Sequence, residues 1–300
     1  MQNTPLKIAN ENIMQNTSNI LDAIIFGLPT IKDHHCTTSA PYALLKHIAR
    51  HEITSLFSSS DTEAKSFGPF GTLAFPYHKM GAIDSLDLFG LDELIIFSFY
   101  WINRNRYRRV LDIGGNIGLH SIVMSRCGYE VKVFEPDYIH FKKLIENLSL
   151  NKSTNVNPIQ AAVSTKTGTA EFVRVLGNTT SSHLEGCKNP YGDLEKITVN
   201  IESFKDLIHS VDLIKMDVEG HEKDLILSTT AEDWSHLDAI IEVGSKENAK
   251  AIFDHLQKIH VNAFAQKKNW AKVSFLEDMP ISHKDGSLFI STKNEMPWSA

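Results

Sequence analysis

Residues 110–118 read Val-Leu-Asp-Ile-Gly-Gly-Asn-Ile-Gly, an apolar strand pattern that ends in a carboxylate and continues into a glycine-rich turn. The small residues Gly114, Gly115 and Gly118 allow the backbone to turn sharply and to approach a ligand closely. The helix pattern that follows begins with unpaired N–H groups, which favour a polar ligand at its N-terminus. This segment therefore predicts a nucleotide-like cofactor at the carboxyl end of a parallel strand.

The residues of the turn distinguish between two kinds of cofactor. The dinucleotide fingerprint requires glycine at the third and sixth positions, which, counted from Gly114, hold Asn116 and Leu119. Asp112, just inside the strand end, would repel a pyrophosphate but suits a cofactor that carries an ammonium and a sulfonium. The turn therefore favours S-adenosylmethionine, bound by Asp112, Gly114, Gly115, Asn116 and Gly118.

A second acidic residue lies at the expected distance from this turn. Glu135 closes the apolar run 131–134 and follows Gly115 by 20 residues. At about this spacing a carboxylate accepts hydrogen bonds from the ribose hydroxyls of a bound cofactor. The alternative is that Asp112 and Glu135 only cap the helices that follow their strands. Because both acids stand in register with the turn, we favour the cofactor interpretation.

The composition limits the class of protein. With 300 residues and 42% hydrophobic content, the chain can bury the core of one large domain or slightly more. A net charge of −6 argues against a nucleic-acid partner, and three widely spaced cysteines predict neither disulfides nor a zinc cluster. We see no signal peptide, and the apolar window 91–102 is too short to span a bilayer. We therefore expect a cytoplasmic protein without a membrane partner, and leave a homo-oligomer open.

From Arg109 onward, short apolar runs alternate with helical patterns, which is typical of a parallel sheet covered by helices on both faces. Strands are predicted at 110–113, 131–134, 156–163, 211–216, 237–241, 261–266 and 287–291. Segments 169–176 and 196–201 alternate like an antiparallel pair and bracket a long polar stretch. We assign 106–300 to this domain and 1–105 to an N-terminal extension, with a disordered start to about residue 19, helices over 21–57 and a hairpin at 67–77.

The run Lys215-Met-Asp-Val-Glu-Gly-His-Glu222 collects ionisable side chains where the fourth predicted strand meets a helix. Methyl transfer from a sulfonium requires an acceptor held on axis and a base that takes the hydroxyl proton. We predict Asp217 or His221 as that base and place Glu219 beside them in the catalytic set. Glu222 more often caps the following helix.

A metal is an alternative use of these side chains. Asp217, Glu219, His221 and Glu242 are oxygen and imidazole ligands that suit magnesium. The zinc-protease pattern is absent, since position 225 is leucine. We expect no resident metal.

The stretch 177–194 carries side chains that suit a polyhydroxylated acceptor such as a sugar, although an ordinary polar surface loop explains them as well. They are Asn178, Ser181, Ser182, His183, Lys188 and Tyr191. A basic run could hold a phosphate or carboxylate of the acceptor, but such runs more often lie in solvent at a helix C-terminus. It comprises Arg104, Arg106, Arg108 and Arg109.

These motifs resemble the FkbM family of S-adenosylmethionine-dependent methyltransferases. The resemblance rests on Leu-Asp-Ile-Gly-Gly-Asn-Ile-Gly at 111–118, Glu135-Pro136 and Asp217-Val-Glu-Gly-His-Glu222, and covers 110–243. It implies an α/β, Rossmann-like class I methyltransferase fold with a mostly parallel seven-stranded sheet, one antiparallel strand and helices on both faces. With the resemblance, Pro136, Ala162 and Asp217 join the expected cofactor-binding residues.

Three functions follow from the motifs. The first is O-methylation of a hydroxyl on a small molecule, either a sugar or a glycosylated metabolite, because the family frequently modifies sugars or polyketides. The second is a Rossmann-like binding or scaffold protein without turnover, which the intact Asp217, Glu219 and His221 disfavour. The third is a nucleotide-sugar oxidoreductase, which the missing third-position glycine disfavours.

Overall fold

A computed structural model of the chain describes residues 19–187, 189 and 191–298. Its α-helices are α1 (Ile20–Gly27), α2 (Ala40–Phe57), α3 (Leu91–Ile102), α4 (Leu119–Arg126), α5 (Tyr138–Leu150), α6 (Phe204–Ile208), α7 (Glu222–Leu227) and α8 (Lys246–Lys258). Its strands are β1 (Lys65–Ser66), β2 (Thr72–Leu73), β3 (Arg109–Ile113), β4 (Glu130–Phe134), β5 (Val156–Ile159), β6 (Ala162–Ser164), β7 (Gly168–Val175), β8 (His183–Leu184), β9 (Leu194–Ser203), β10 (Leu213–Met216), β11 (Asp238–Ile241), β12 (Asn262–Ala265), β13 (Ala271–Lys272) and β14 (Leu288–Ser291).

The main sheet has the order β13-β12-β14-β11-β10-β3-β4-β5. Strands β5, β4, β3, β10 and β11 are parallel, and β14 runs antiparallel between β11 and β12. The predicted α/β class, the parallel core and the antiparallel strand are therefore confirmed. The sheet has eight strands where seven were predicted, because two residues, Ala271 and Lys272, pair with the free edge of β12.

Helices cover both faces of this sheet because successive strand side chains point to opposite sides. Val110 packs in a core with residues of α1, α2, α3, α4 and α5, whereas Leu111 packs in a second core with residues of α6, α7 and α8. The extension thus shares a core with the sheet through helix α3, which is formed by the apolar window 91–102.

A four-stranded second sheet, β6-β9-β7-β8, differs in part from the prediction. The antiparallel pair β7 and β9 is as expected. The predicted single strand 156–163 is wrong: it divides into β5 in the main sheet and β6 in the second sheet. The turn between them contains a backbone hydrogen bond from Ala161 N to Ile159 O of 3.0 Å.

Differences elsewhere are confined to element ends and short pairs. Helix α4 begins at Leu119, because the turn before it takes positive φ at Gly114, Asn116 and Gly118. The predicted hairpin is a two-residue pair, Lys65 with Leu73 and Ser66 with Thr72. The disorder predicted up to about residue 19 concerns residues 1–18, which are not among those that the structure describes. In the described ranges, no helix is long and apolar enough to cross a membrane.

Candidate functional site

A cavity of about 620 Å³ lies at the carboxyl ends of the central parallel strands. Its wall includes Gly114 after β3, Glu135 after β4, Asp217 after β10 and Glu242 after β11. The carboxyl edge of an open α/β sheet is where such folds bind ligands. The cavity therefore coincides with the site that the sequence predicts.

The glycines of the turn serve packing as well as ligand approach. A Cβ on Gly114, at φ 83°, would overlap the carbonyl oxygen of Asp217. A Cβ on Gly115 would overlap Cγ2 of Val133 on β4. The turn is therefore pressed against β10 and β4, which brings the cofactor motif next to Asp217.

Two acceptor oxygens at this turn are buried without a hydrogen-bond partner: Oδ1 of Asp112 and Oδ1 of Asn116. The other oxygen of Asp112 accepts a 2.6 Å hydrogen bond from Ser121 Oγ. Asn116 lines the cavity, so its unsatisfied acceptor fits the ammonium at the amino-acid end of S-adenosylmethionine, which carries only donors, whereas Asp112 is fully buried and does not line it. The residues present thus match the chemistry of that cofactor.

Glu135 is held by backbone groups. Its carboxylate accepts hydrogen bonds from the N–H groups of Asn116, at 2.7 Å, and Asp137, at 2.8 Å. Burial raises the pKa of Glu135 to about 8, against the lowering effect of these hydrogen bonds. Glu135 therefore joins the glycine turn to the N-terminus of α5, which Asp137 caps through its side chain.

The structure brings most of the predicted cofactor residues into one wall. Those that line the cavity are Gly114, Asn116, Glu135, Pro136, Ala162 and Asp217. Asp112, Gly115 and Gly118 are buried and do not line it. For Gly115 and Gly118 the neighbouring atoms are side chains of α5 and β4, so their small size serves the packing of the turn.

Asp217 follows β10 and is fixed to β3 through its backbone. Its N–H donates to the Ile113 carbonyl at 3.0 Å, while its side chain is 36% exposed toward solvent. Lys215 Nζ lies 3.7 Å from Asp217 Oδ2. Burial alone would lower the pKa of Lys215, but the carboxylates around it, Asp217 first, raise it. Lys215 is a charged residue of the site to which the sequence pattern assigned no role.

His221 lines the cavity and is largely buried. Its Nε2 lies 3.1 Å from Ser164 Oγ, and its Nδ1 lies 3.1 Å from Asp224 Oδ2 and 3.3 Å from Cys187 Sγ. Burial lowers the pKa of His221, although Asp224 opposes the shift. Both ring nitrogens therefore have protein partners, which fixes the orientation of the imidazole.

Glu222 organises the loop between β10 and α7. Its carboxylate accepts 3.0 Å hydrogen bonds from the N–H groups of Val218 and Gly220, and burial raises its pKa to about 7. Glu219, in the same loop, has a left-handed φ of 55° and lines the cavity. The role expected of Glu222 was to cap the helix that follows, whereas here its carboxylate binds the loop before that helix.

The potential metal ligands that lie close together in the structure differ from those considered from the sequence. Among the residues described, the potential ligands that converge within 4.8 Å of one another are Cys187, His221 and Asp224. The set considered from sequence, which combined His221 with Asp217, Glu219 and Glu242, is not brought together in this way.

The extension supplies part of the wall through Glu93 of helix α3. Glu93 lies 2.8 Å from Nε2 of His120, whose Nδ1 lies 3.1 Å from the Tyr100 hydroxyl. Burial alone would raise the pKa of Glu93, but His120 holds it below its usual value. Neither residue was placed in the site from the sequence; for Glu93 the available signal was an acid at the start of an otherwise apolar helix.

Residues 178–184 and Tyr191, from the polar stretch, line the cavity. Thr179 N donates to the Met80 carbonyl at 3.1 Å, which ties this stretch to the extension. His140 Nε2 lies 2.9 Å from Thr179 Oγ1, and burial lowers the pKa of His140 to about 4. Of the acceptor residues predicted here, those in the wall are Asn178, Ser181, Ser182, His183 and Tyr191, and Lys188 lies outside the described residues.

Comparison with known proteins gives one family match and one relative of modest identity. The family model described as methyltransferase FkbM domain matches residues 112–271, more than half of the chain. The methyltransferase sdnD of Sordaria araneosa is 26% identical over 159 residues, which cover 42% of this chain and 61% of that protein.

Solved structures are more distant. A SAM-dependent methyltransferase from Agrobacterium tumefaciens has a TM-score of 0.38 and 10% identity over 67% of this chain and 62% of that one. An O-methyltransferase from Bacillus cereus in complex with SAH has a TM-score of 0.35 and 10% identity over 65% and 78%. The chain thus spans about three fifths of the length of sdnD and of the Agrobacterium protein.

Proposed function

The chain belongs to the FkbM methyltransferase family, whose cofactor is S-adenosylmethionine, and on that premise we propose that it methylates a hydroxyl of a sugar-like small molecule. The observation that carries the proposal is the contact between the glycine turn and the segment after β10. Gly114 and Asp217 abut so closely that no Cβ fits between them, and both line the same cavity. A cofactor bound at the turn and an acceptor beside Asp217 would therefore be neighbours.

The bound cofactor supplies a methyl group on a sulfonium. The protein must hold the acceptor hydroxyl on axis and remove its proton as the new bond forms. Asp217 is our proposed base, because its partly exposed carboxylate reaches the cavity and, among the residues described, its side chain has a single partner, Lys215 at 3.7 Å. His221 is a positioning residue in this proposal, since both of its nitrogens are occupied by protein partners. Glu219 completes the polar wall next to them.

A polar wall supports a hydroxylated acceptor. Asn178, Ser181, Ser182 and Tyr191 place amide and hydroxyl groups along one side of the cavity. Phe172 and Leu184 add apolar surface nearby, which suits the mixed faces of a sugar ring. We place the reaction in the cytoplasm, in keeping with three cysteines that are free thiols.

The test combines turnover with cofactor binding. Asp217→Asn should bind S-adenosylmethionine within a few-fold of the unaltered protein and lose about 10²- to 10⁴-fold in methyl transfer, the usual contribution of a general base. Asp254→Asn, on the exposed face of α8, is the matched control and should match the unaltered protein. An Asp217→Asn protein that turns over at the normal rate would remove Asp217 from the mechanism. Cofactor binding with no transfer to any hydroxylated compound would favour the scaffold alternative.

A further inference from the structure

The cavity wall has a strong bias in charge. Among the wall residues that the structure describes, nine side chains are carboxylic acids and none is lysine or arginine. They are Asp87, Asp92, Glu93, Glu135, Asp137, Asp217, Glu219, Glu222 and Glu242. Such a wall repels anionic ligands and attracts cations.

Several of these acids already have a basic partner or backbone donors. Asp137 lies 2.6 Å from Arg174, and Asp87 lies 3.0 Å from Arg50. Backbone N–H groups occupy Glu135 and Glu222. These acids can therefore be satisfied without a ligand.

Glu242 is different. In the described part of the chain, no side chain or backbone group makes a hydrogen bond or an ion pair with its carboxylate. Burial, and then Asp217, Glu93 and Glu219, raise the pKa of Glu242 well above its usual range, while Lys215 opposes them. Glu242 thus lies in the wall beside other acidic side chains, and its carboxyl group is available to bind a ligand.

The cofactor does not balance this charge. The field around Lys215 comes from four carboxylates, those of Asp217, Asp112, Glu93 and Glu242. With all four ionised, one lysine ammonium and the single net positive charge of S-adenosylmethionine leave an excess of negative charge, which the contact of Glu93 with His120 offsets only in part. The ionised form of Glu242 is therefore favoured only when a further cation binds beside it. A cationic acceptor would complete the neutralisation.

An independent feature of the wall also requires a donor. His183 is only 2% exposed, and its Nδ1 donates to the Ser181 carbonyl at 2.9 Å. In the neutral imidazole the remaining nitrogen, Nε2, is a hydrogen-bond acceptor, and among the described residues it is buried without a partner. Buried acceptors of this kind are normally satisfied, so His183 points to a donor-rich ligand.

Resting on the proposed methyl transfer, we infer that the acceptor is a polyhydroxylated molecule with a protonated amine, of the amino-sugar class, whose ammonium binds at Glu242. A divalent metal is the weaker occupant, since Asp217, Glu219 and Glu242 do not converge within 4.8 Å. An acceptor with a phosphate is disfavoured, because the basic run of the sequence lies away from the cavity. Its members bond instead to Trp101, Asn103, Glu130 and Asp212.

The experiment is calorimetric titration of the protein saturated with S-adenosylhomocysteine, the demethylated cofactor, so that no transfer occurs. The probes share one ring and differ in charge: glucosamine, N-acetylglucosamine and glucose 6-phosphate. We expect glucosamine to bind at least about tenfold more tightly than N-acetylglucosamine, and glucose 6-phosphate not to bind. Glu242→Gln should abolish this preference, whereas Glu247→Gln, an exposed acid on α8, should retain it.

Each other result counts against the inference. Binding of glucose 6-phosphate, equal binding of glucosamine and N-acetylglucosamine, or no binding of glucosamine would overturn it. Glu242-dependent binding of magnesium chloride alone would assign the acid to a metal instead. A separate titration with S-adenosylmethionine distinguishes failure of this inference from failure of the proposed methyl transfer. If the cofactor binds and glucosamine does not, only the inference about the acceptor fails.

Discussion

Gly114→Ala is the substitution whose effect the structure predicts most sharply. Gly114 has a φ of 83°, so alanine would adopt a left-handed conformation that costs about 1–2 kcal/mol. Its Cβ would also lie 1.8 Å from the carbonyl oxygen of Asp217, whereas Cβ atoms in proteins essentially never approach another heavy atom within 3.0 Å. Because that oxygen belongs to the backbone, it cannot rotate away as a side chain could. Overpacking of this kind adds about 1–3 kcal/mol. We therefore expect a loss of about 2–5 kcal/mol in the free energy of unfolding.

The functional loss should exceed what the stability loss explains. Relief of the contact requires a displacement of the segment that carries Asp217 by about 1 Å, and misplacement of that size costs about 10²-fold in rate. The matched control is Gly128→Ala, since Gly128 has nearly the same φ, 85°, but no atom within 4 Å of an added Cβ. It should lose only the 1–2 kcal/mol of backbone strain and keep near-normal turnover.

Urea unfolding and methyl transfer, measured on both variants at a temperature where each is folded, separate the two effects. If Gly114→Ala loses no more activity than Gly128→Ala, the close contact between the glycine turn and the Asp217 segment has no functional importance. The reasoning that joins cofactor and base through that contact would then be refuted.

Three further substitutions test the surroundings of the site by urea unfolding. Burial raises the pKa of Glu135 from 4.5 to about 8, so its contribution to the free energy of unfolding is complete below pH 4.5 and is lost as the pH rises through 8. Glu135→Gln should therefore flatten the dependence of stability on pH between these values. An unchanged dependence would contradict the raised pKa of Glu135. Arg174→Met removes the partner of Asp137 from a pair whose side chains are 3% and 1% exposed, and should cost about 3–5 kcal/mol. Ser121→Ala leaves both oxygens of Asp112 without a side-chain partner and should cost about 1–3 kcal/mol; a cost near zero would mean that Asp112 is satisfied in another way.

The parallel core could be predicted because local sequence controls it. An apolar run that ends in an acid marks β3, β4, β10 and β11, and the carboxyl ends of parallel strands meet at one edge. Asp112, Glu135, Asp217 and Glu242 were therefore found from sequence, together with their place near one another. The N-cap of α5 is Asp137, a residue type that favours this position for the same local reasons.

The parts that could not be predicted depend on contacts between distant segments. Glu93 reaches the cavity because helix α3 packs beside α4, where His120 meets it. The run 156–163 has a continuous strand pattern, yet the chain turns at Ala161 and its second half joins another sheet. The free acceptor nitrogen of His183 depends on the conformation of the stretch 177–194, which no local pattern specifies.

The most direct test of the account is calorimetric titration of the unaltered protein with S-adenosylmethionine and, separately, with a nicotinamide dinucleotide. The glycine turn, the unsatisfied oxygens of Asp112 and Asn116, and the carboxylate of Glu135 predict binding of the sulfonium cofactor at about micromolar Kd and none of the dinucleotide. Binding of the dinucleotide, or the absence of any binding of S-adenosylmethionine, would contradict the central claim that this cavity is built for methyl transfer.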